Sequence, residues 1–74
     1  MAVRVLPTRD GLKLFGIQPG SPYEKLGIQN GDVLRTVNGA KVDFSTVRLI
    51  QPGVALTVEL ERSGQTYTLQ GQLD

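Results

Sequence analysis

The residue types that do covalent or metal chemistry are almost missing from this sequence. It contains no cysteine and no histidine. The Ser–His and Cys–His nucleophile pairs are excluded, and so is a histidine general base. Zinc sites built from Cys and His are excluded as well. Seven carboxylates are scattered along the chain, and none falls in an Asp-x-Asp or comparable oxygen-ligand spacing. The spacing Gly16-x-x-x-Gly20 is not followed by the Gly-Lys-Ser/Thr that a phosphate loop requires. The sequence predicts no enzyme, no cofactor and no metal site. What remains is backbone, apolar side chains and single charges, the materials of recognition.

Charge narrows the partner. Eight basic residues stand against seven acidic ones, a formal net charge of +1. Arg4, Arg9, Lys13, Lys25, Arg35, Lys41, Arg48 and Arg62 are spread singly. Nucleic-acid binding needs a basic stripe or stacking aromatics, and neither is present. No apolar run approaches the ~18 residues of a membrane span, so this chain inserts in no bilayer by a helix, and no signal peptide is seen. Seventy-four residues hold one core, which makes residues 1–74 a single domain that reads as excised from a longer protein. With neither disulfide nor metal, apolar burial must offset an ordering cost of about 1.5 kcal/mol per residue.

Nine glycines and four prolines punctuate the chain, and turn signals every ~8–12 residues predict a mostly β domain. Residues 2–6 read as a strand that Pro7 places at an edge. Asp10-Gly11 is a turn, and Leu12 to Ile17 reads as a second strand with apolar residues on both faces. Ser21-Pro22-Tyr23-Glu24 is a capping box with proline at the first helical position, and Gly27 stops the short helix. Val33 to Val37 forms a strand, Asn38-Gly39 a type I′ turn, and Ala40 to Val42 the return. Asp43 to Ile50 predicts a second helix of about two turns, with Phe44, Val47 and Ile50 in one stripe. Residues 54–61 and 65–73 are predicted to form a hairpin around Ser63-Gly64, with Val54, Leu56, Val58 and Leu60 on one face of the first arm and Tyr67, Leu69 and Leu73 on the core face of the second. These elements predict two antiparallel sheets wrapped into a partly open barrel, capped by two short helices.

Residues 11–39, from Gly-Leu-Lys-Leu-Phe-Gly-Ile-Gln-Pro-Gly-Ser-Pro-Tyr-Glu-Lys-Leu-Gly-Ile to Gly-Asp-Val and Asn-Gly, resemble the centre of a PDZ domain. Arg62-Ser63-Gly64 resembles the end of that family's later strand. Within the family, the wording is most similar to the periplasmic PDZ domain of the inner-membrane C component of type II secretion systems. The resemblance implies a PDZ-like, partly open antiparallel β-sandwich or barrel. It also implies a non-catalytic module that binds an extended protein or peptide segment, at the periplasmic face of a bacterial inner membrane.

The implied mechanism is β-augmentation, in which a guest strand adds to a sheet edge. It assigns a groove between the first strand and the second helix to Val3, Arg4, Val5, Leu6, Phe44, Val47, Arg48 and Ile50. A structural role competes at each apolar position. Val5 and Phe44 are expected in the core, while Val47 and Ile50 either line the slot or lie sealed beneath it. Arg48 either steers an acidic partner or is a solvated charge. Family members that capture free C-termini carry a glycine-hydrophobic loop before the groove strand, and no such loop stands here. Two other functions are weighed: a PDZ module of a periplasmic or membrane protease that recruits or gates substrate, and a structural scaffold with a closed groove. An uncovered first strand would also be a template for pairing with a second copy.

Overall fold

A computed structural model describes residues 3–47, 53 and 55–72, without the side chains of Thr46, Val47 and Gln72. Its elements run in the order β1 (Arg4–Pro7), β2 (Leu12–Phe15), α1 (Pro22–Leu26), β3 (Val33–Val37), β4 (Ala40–Lys41), α2 (Phe44–Val47), β5 (Ala55–Arg62) and β6 (Gln65–Gln72). All six strands join one antiparallel sheet in the order β1-β2-β3-β5-β6, with β4 also on β3. The sheet's two outer strands, β1 and β6, do not pair with each other, so the barrel is open. The Leu12 to Ile17 strand ends at Phe15, and the part of the second helix beyond Val47 lies outside the described residues.

Apolar alternation explains which way each strand faces. Leu12, Leu34, Leu60 and Tyr67 form one row across β2, β3, β5 and β6. Leu14, Leu26, Ile28, Val37, Val42, Leu56 and Val58 complete the core with the three buried leucines of that row. Leu34 and Val37 are both buried although they stand three apart in a strand, where a period of two would put them on opposite faces. The register slips between Leu34 and Thr36, making Arg35 the extra residue of a bulge. Its carbonyl accepts the Val42 N–H at 3.0 Å, which draws β4 in behind it.

The second strand is buried on one face only. Leu12 and Leu14 are buried, but Phe15 is half-exposed under the Lys13 ammonium, 5.4 Å from its ring centroid. Ile17, beyond the strand, packs against the core margin.

The first helix is held as its sequence predicts, with one change. Ser21 Oγ accepts the Glu24 N–H at 3.3 Å. Glu24 Oε1, however, reaches back to the N–H of Gly20 at 2.8 Å, because the Ser21 N–H already donates to the Gln18 carbonyl. Gly27 sits at φ 100° and donates its N–H to the Glu24 carbonyl, the left-handed stop that favours glycine. A Cβ on Gly71 would stand 3.2 Å from Leu26 Cδ1, so β6 is bare where α1 rests on it.

Asp32 is the one buried charged residue among the described residues, at 1% exposure. Its Oδ1 accepts Arg62 Nε at 2.8 Å, and its Oδ2 accepts Arg62 Nη2 at 2.7 Å and the Gln29 N–H at 2.8 Å. Arg62 Nη2 also donates to the Gly27 carbonyl at 3.1 Å, and its guanidinium lies 5.2 Å from the Tyr67 ring centroid. The bidentate bond to Asp32 holds the Arg62 pKa above its ordinary value. One pair thus joins the end of α1, the entry to β3 and the end of β5.

Three outcomes follow for stability. A Cβ on Gly11 would fall 1.9 Å from the Leu34 carbonyl oxygen. We predict that Gly11→Ala lowers unfolding free energy by about 3 kcal/mol or prevents folding, read from the urea midpoint. Asp32→Ala should cost about 3 kcal/mol by leaving Arg62 without its partner, and the double variant with Arg62→Ala should cost less than the two single losses added together. Burial raises the Tyr23 phenol above its ordinary value of 10.0. The unfolded chain therefore ionises first, and this contribution to stability is complete below pH ~10 and fades as pH rises through the folded value. Urea midpoints compared with Tyr23→Phe across that range would reveal it.

Candidate recognition edge

β1 presents backbone to solvent, and the direction of each group follows from hydrogen bonds deeper in the sheet. The Leu14 N–H donates to the Asp32 carbonyl at 2.9 Å, and the Leu14 carbonyl accepts the Gly31 N–H at 2.7 Å. Both groups therefore point toward β3 and away from β1. Val5 stands opposite Leu14, so this is the pair that exchanges no bonds, and Val5 turns its N–H and C=O to the outer edge. Pro7, two residues on, has the same orientation, and its missing N–H costs no ladder bond there. No described strand pairs with this edge.

The two faces of β1 differ. Val3 and Val5 pack partly buried against the core margin, as core residues would. Arg4 and Leu6 lie on the outer face, with Leu6 53% exposed. Arg4 stands opposite Phe15, and Leu6 opposite Lys13. Gly16 leaves the Arg4 stem uncrowded, since even an added Cβ there would lie 3.9 Å from Arg4 Cγ. The β1–β2 turn is held by the Thr8 N–H donating to the Gly11 carbonyl at 2.7 Å and by the Thr8 hydroxyl donating to the same oxygen at 2.8 Å.

The helical wall of the expected groove is less complete. Phe44 opens α2 and is 58% exposed. Its expected place in the core is therefore wrong: Val42, 6% exposed, takes the buried position two residues earlier, and the chain turns outward after it. Asp43 Oδ1 accepts the Ser45 hydroxyl at 2.6 Å at this corner. Val47 closes α2, and Arg48 and Ile50 lie outside the described residues. No hydrogen bond or ion pair between described residues joins β1 to α2.

A hollow of about 350 Å³ lies elsewhere, between Ile17, Glu24, Gly27, Ile28, Gln29 and Asn30. It offers little to a guest strand. The Ile17 N–H is already bonded to Asn30 Oδ1 at 2.8 Å, and Glu24 is bonded to Gly20. No cluster of His, Cys, Asp and Glu that could hold a metal is present among the described residues. Sequence reasoning missed Lys13 and Phe15 as neighbours of Arg4 and Leu6. The Asp10-Gly11 turn announced the hairpin, but its register depended on the bonds from Leu14 to the β3 side.

No family model matches the chain. Two curated relatives share part of it. A DegP-like periplasmic serine endoprotease of Rhizobium meliloti is 44% identical over 69 residues, 86% of this chain and 14% of that protein. A protein named as a zinc metalloprotease of Neisseria meningitidis is 35% identical over 57 residues, 72% of this chain and 13% of that protein. The chain therefore spans about one seventh of the length of the relatives it matches. Among solved structures, the HtrA3 PDZ domain bound to a phage-derived ligand superposes with a TM-score of 0.69 at 28% identity, covering 85% of this chain and 62% of that one. The PDZ domain of EpsC from Vibrio cholerae gives 0.62 at 18% identity, over 96% of this chain and 75% of that one, a likeness of fold alone. With its open antiparallel sheet, its short capping helix and these neighbours, the chain is a PDZ domain.

Proposed function

We propose that this chain is a non-catalytic module that takes up an extended segment of a partner protein by β-augmentation along β1. The observation that carries the reading is the outward N–H and C=O of Val5 on an edge that no described strand fills. Val3 and Val5 form one lip of the groove, Arg4 and Leu6 flank the guest on the outer face, and the segment that Phe44 opens, to which the sequence also assigns Val47, Arg48 and Ile50, supplies the opposite wall. Main-chain bonds supply affinity, and alternate side chains supply selection. An exposed Phe44 is consistent with a wall awaiting a guest.

The surroundings we propose are a bacterial type II secretion machine, at the periplasmic face of the inner membrane, with a secretion subunit or a secreted substrate as partner. The motifs in residues 11–39 and the EpsC fold support this. A second reading rests on a different observation: both curated relatives are named as proteases. In that case the module recruits or gates substrate for a catalytic domain elsewhere. The full-length gene separates the two, because the second reading requires protease residues in the same polypeptide.

The edge itself is tested by titrating isotope-labelled protein with hydrophobic peptides, both free-carboxylate and amidated. Amide shifts centred on residues 3–7 and 43–50 are expected. If no amide moves at millimolar peptide, the groove reading fails and a closed scaffold stands in its place. Main-chain pairing along β1 needs no terminal carboxylate, so an equal response to both peptide forms is expected.

A further inference from the structure

The outer face of the sheet is polarised in charge, and its basic end lies at the recognition edge. The register sets out two rows. One runs Arg4 to Phe15, and the other runs Leu6, Lys13, Val33, Glu61. The Lys13 ammonium lies over Phe15, which brings a second cation beside the Arg4 row. Neither Arg4 nor Lys13 has an ion-pair partner among the described residues. The carboxylates of this face sit at the far end, on β5. Glu61 stands two strands from Lys13 and pairs with Arg35 at 3.8 Å, while Glu59 accepts the Thr36 hydroxyl at 3.4 Å. At the open edge, a strand added to β1 would set its facing side chain about 5 Å from that of Arg4.

We infer that the guest is a segment of the form apolar-x-acidic, running antiparallel to β1. This rests on the edge-pairing reading above and names its partner. An antiparallel guest residue opposite Val5 exchanges two backbone bonds with it, the more stable pairing per residue. Its side chain enters the groove with that of Val5. The preceding guest residue faces Leu6 on the outer face and is apolar. The following one faces Arg4 and is Asp or Glu. A second copy of this chain fits the edge less well. Pairing centred on Val5 sets Arg4 against the copy's Leu6 and supplies neither Arg4 nor Lys13 with an acid.

Short end-blocked peptides carrying Leu-Thr-Glu, Leu-Thr-Gln, Leu-Thr-Lys or the reversed Glu-Thr-Leu, titrated at low salt with amide shifts as readout, test the inference. The Glu peptide should bind about fivefold more tightly than the Gln peptide, the upper range for one solvent-accessible ion pair. High salt should compress that ratio toward one. Arg4→Gln should erase the preference, and Arg4→Glu should transfer it to the Lys peptide, with amide spectra confirming that both variants fold. Equal binding of the Glu and Gln peptides, with shifts still at residues 3–7, overturns the acidic specificity and leaves the edge reading intact. Tighter binding of the reversed peptide overturns the antiparallel motif. Shifts at residues 3–7 that grow with protein concentration in the absence of peptide identify a second copy as occupant and overturn the inference. No shift with any peptide overturns both the inference and the edge reading beneath it.

Discussion

Asp32 ties the molecule together through two different bonds. Its backbone carbonyl takes the Leu14 N–H, and its carboxylate takes the Arg62 guanidinium in a bidentate grip. The first bond decides which groups of β2 face β3, and so which groups of β1 face outward. The second holds the far end of β5 against the start of β3. A carboxylate this deeply buried is tolerable because all its bonds come from fixed donors: a planar guanidinium and a backbone amide. The orientation of the recognition edge is thus set two strands away from it.

The same logic governs the rest of the sheet. Gly11 passes so close to the Leu34 carbonyl that only a residue without a side chain fits. The Arg35 bulge lets Leu34 and Val37 share one face and brings β4 behind them. Each device adjusts register, and in a half-buried sheet register decides which side chains meet the core and which meet solvent. With no cysteine to form a disulfide, this small domain leans on a row of leucines and the buried Asp32–Arg62 pair.

Chemistry is thin at the edge, and that suits a binding module. The groups on offer are backbone amides and carbonyls, two valines at the core margin, an exposed leucine and two cations with no ion-pair partner among the described residues. In the hollow beside α1, the Ile17 N–H and the Glu24 carboxylate are already engaged. The proposed strand-shaped partner matches what the edge presents.

Much of this was legible in the residues themselves. Short-range rules placed the α1 cap at Ser21, the left-handed stop at Gly27, the turns at Asn38-Gly39 and Ser63-Gly64, and the alternating core face of β5, because each depends on neighbours a few positions apart. The family resemblance of residues 11–39 likewise needed only contiguous sequence. Long-range geometry was out of reach. The partnership of Asp32 with Arg62 spans thirty positions, the bulge at Arg35 breaks the period from which faces are read, and Phe44 looked like core because its apolar ring says nothing about which way the chain leaves Val42. Which backbone groups face the open edge, and which charges gather beside it, depends on bonds between strands, and those exist only once the sheet has formed.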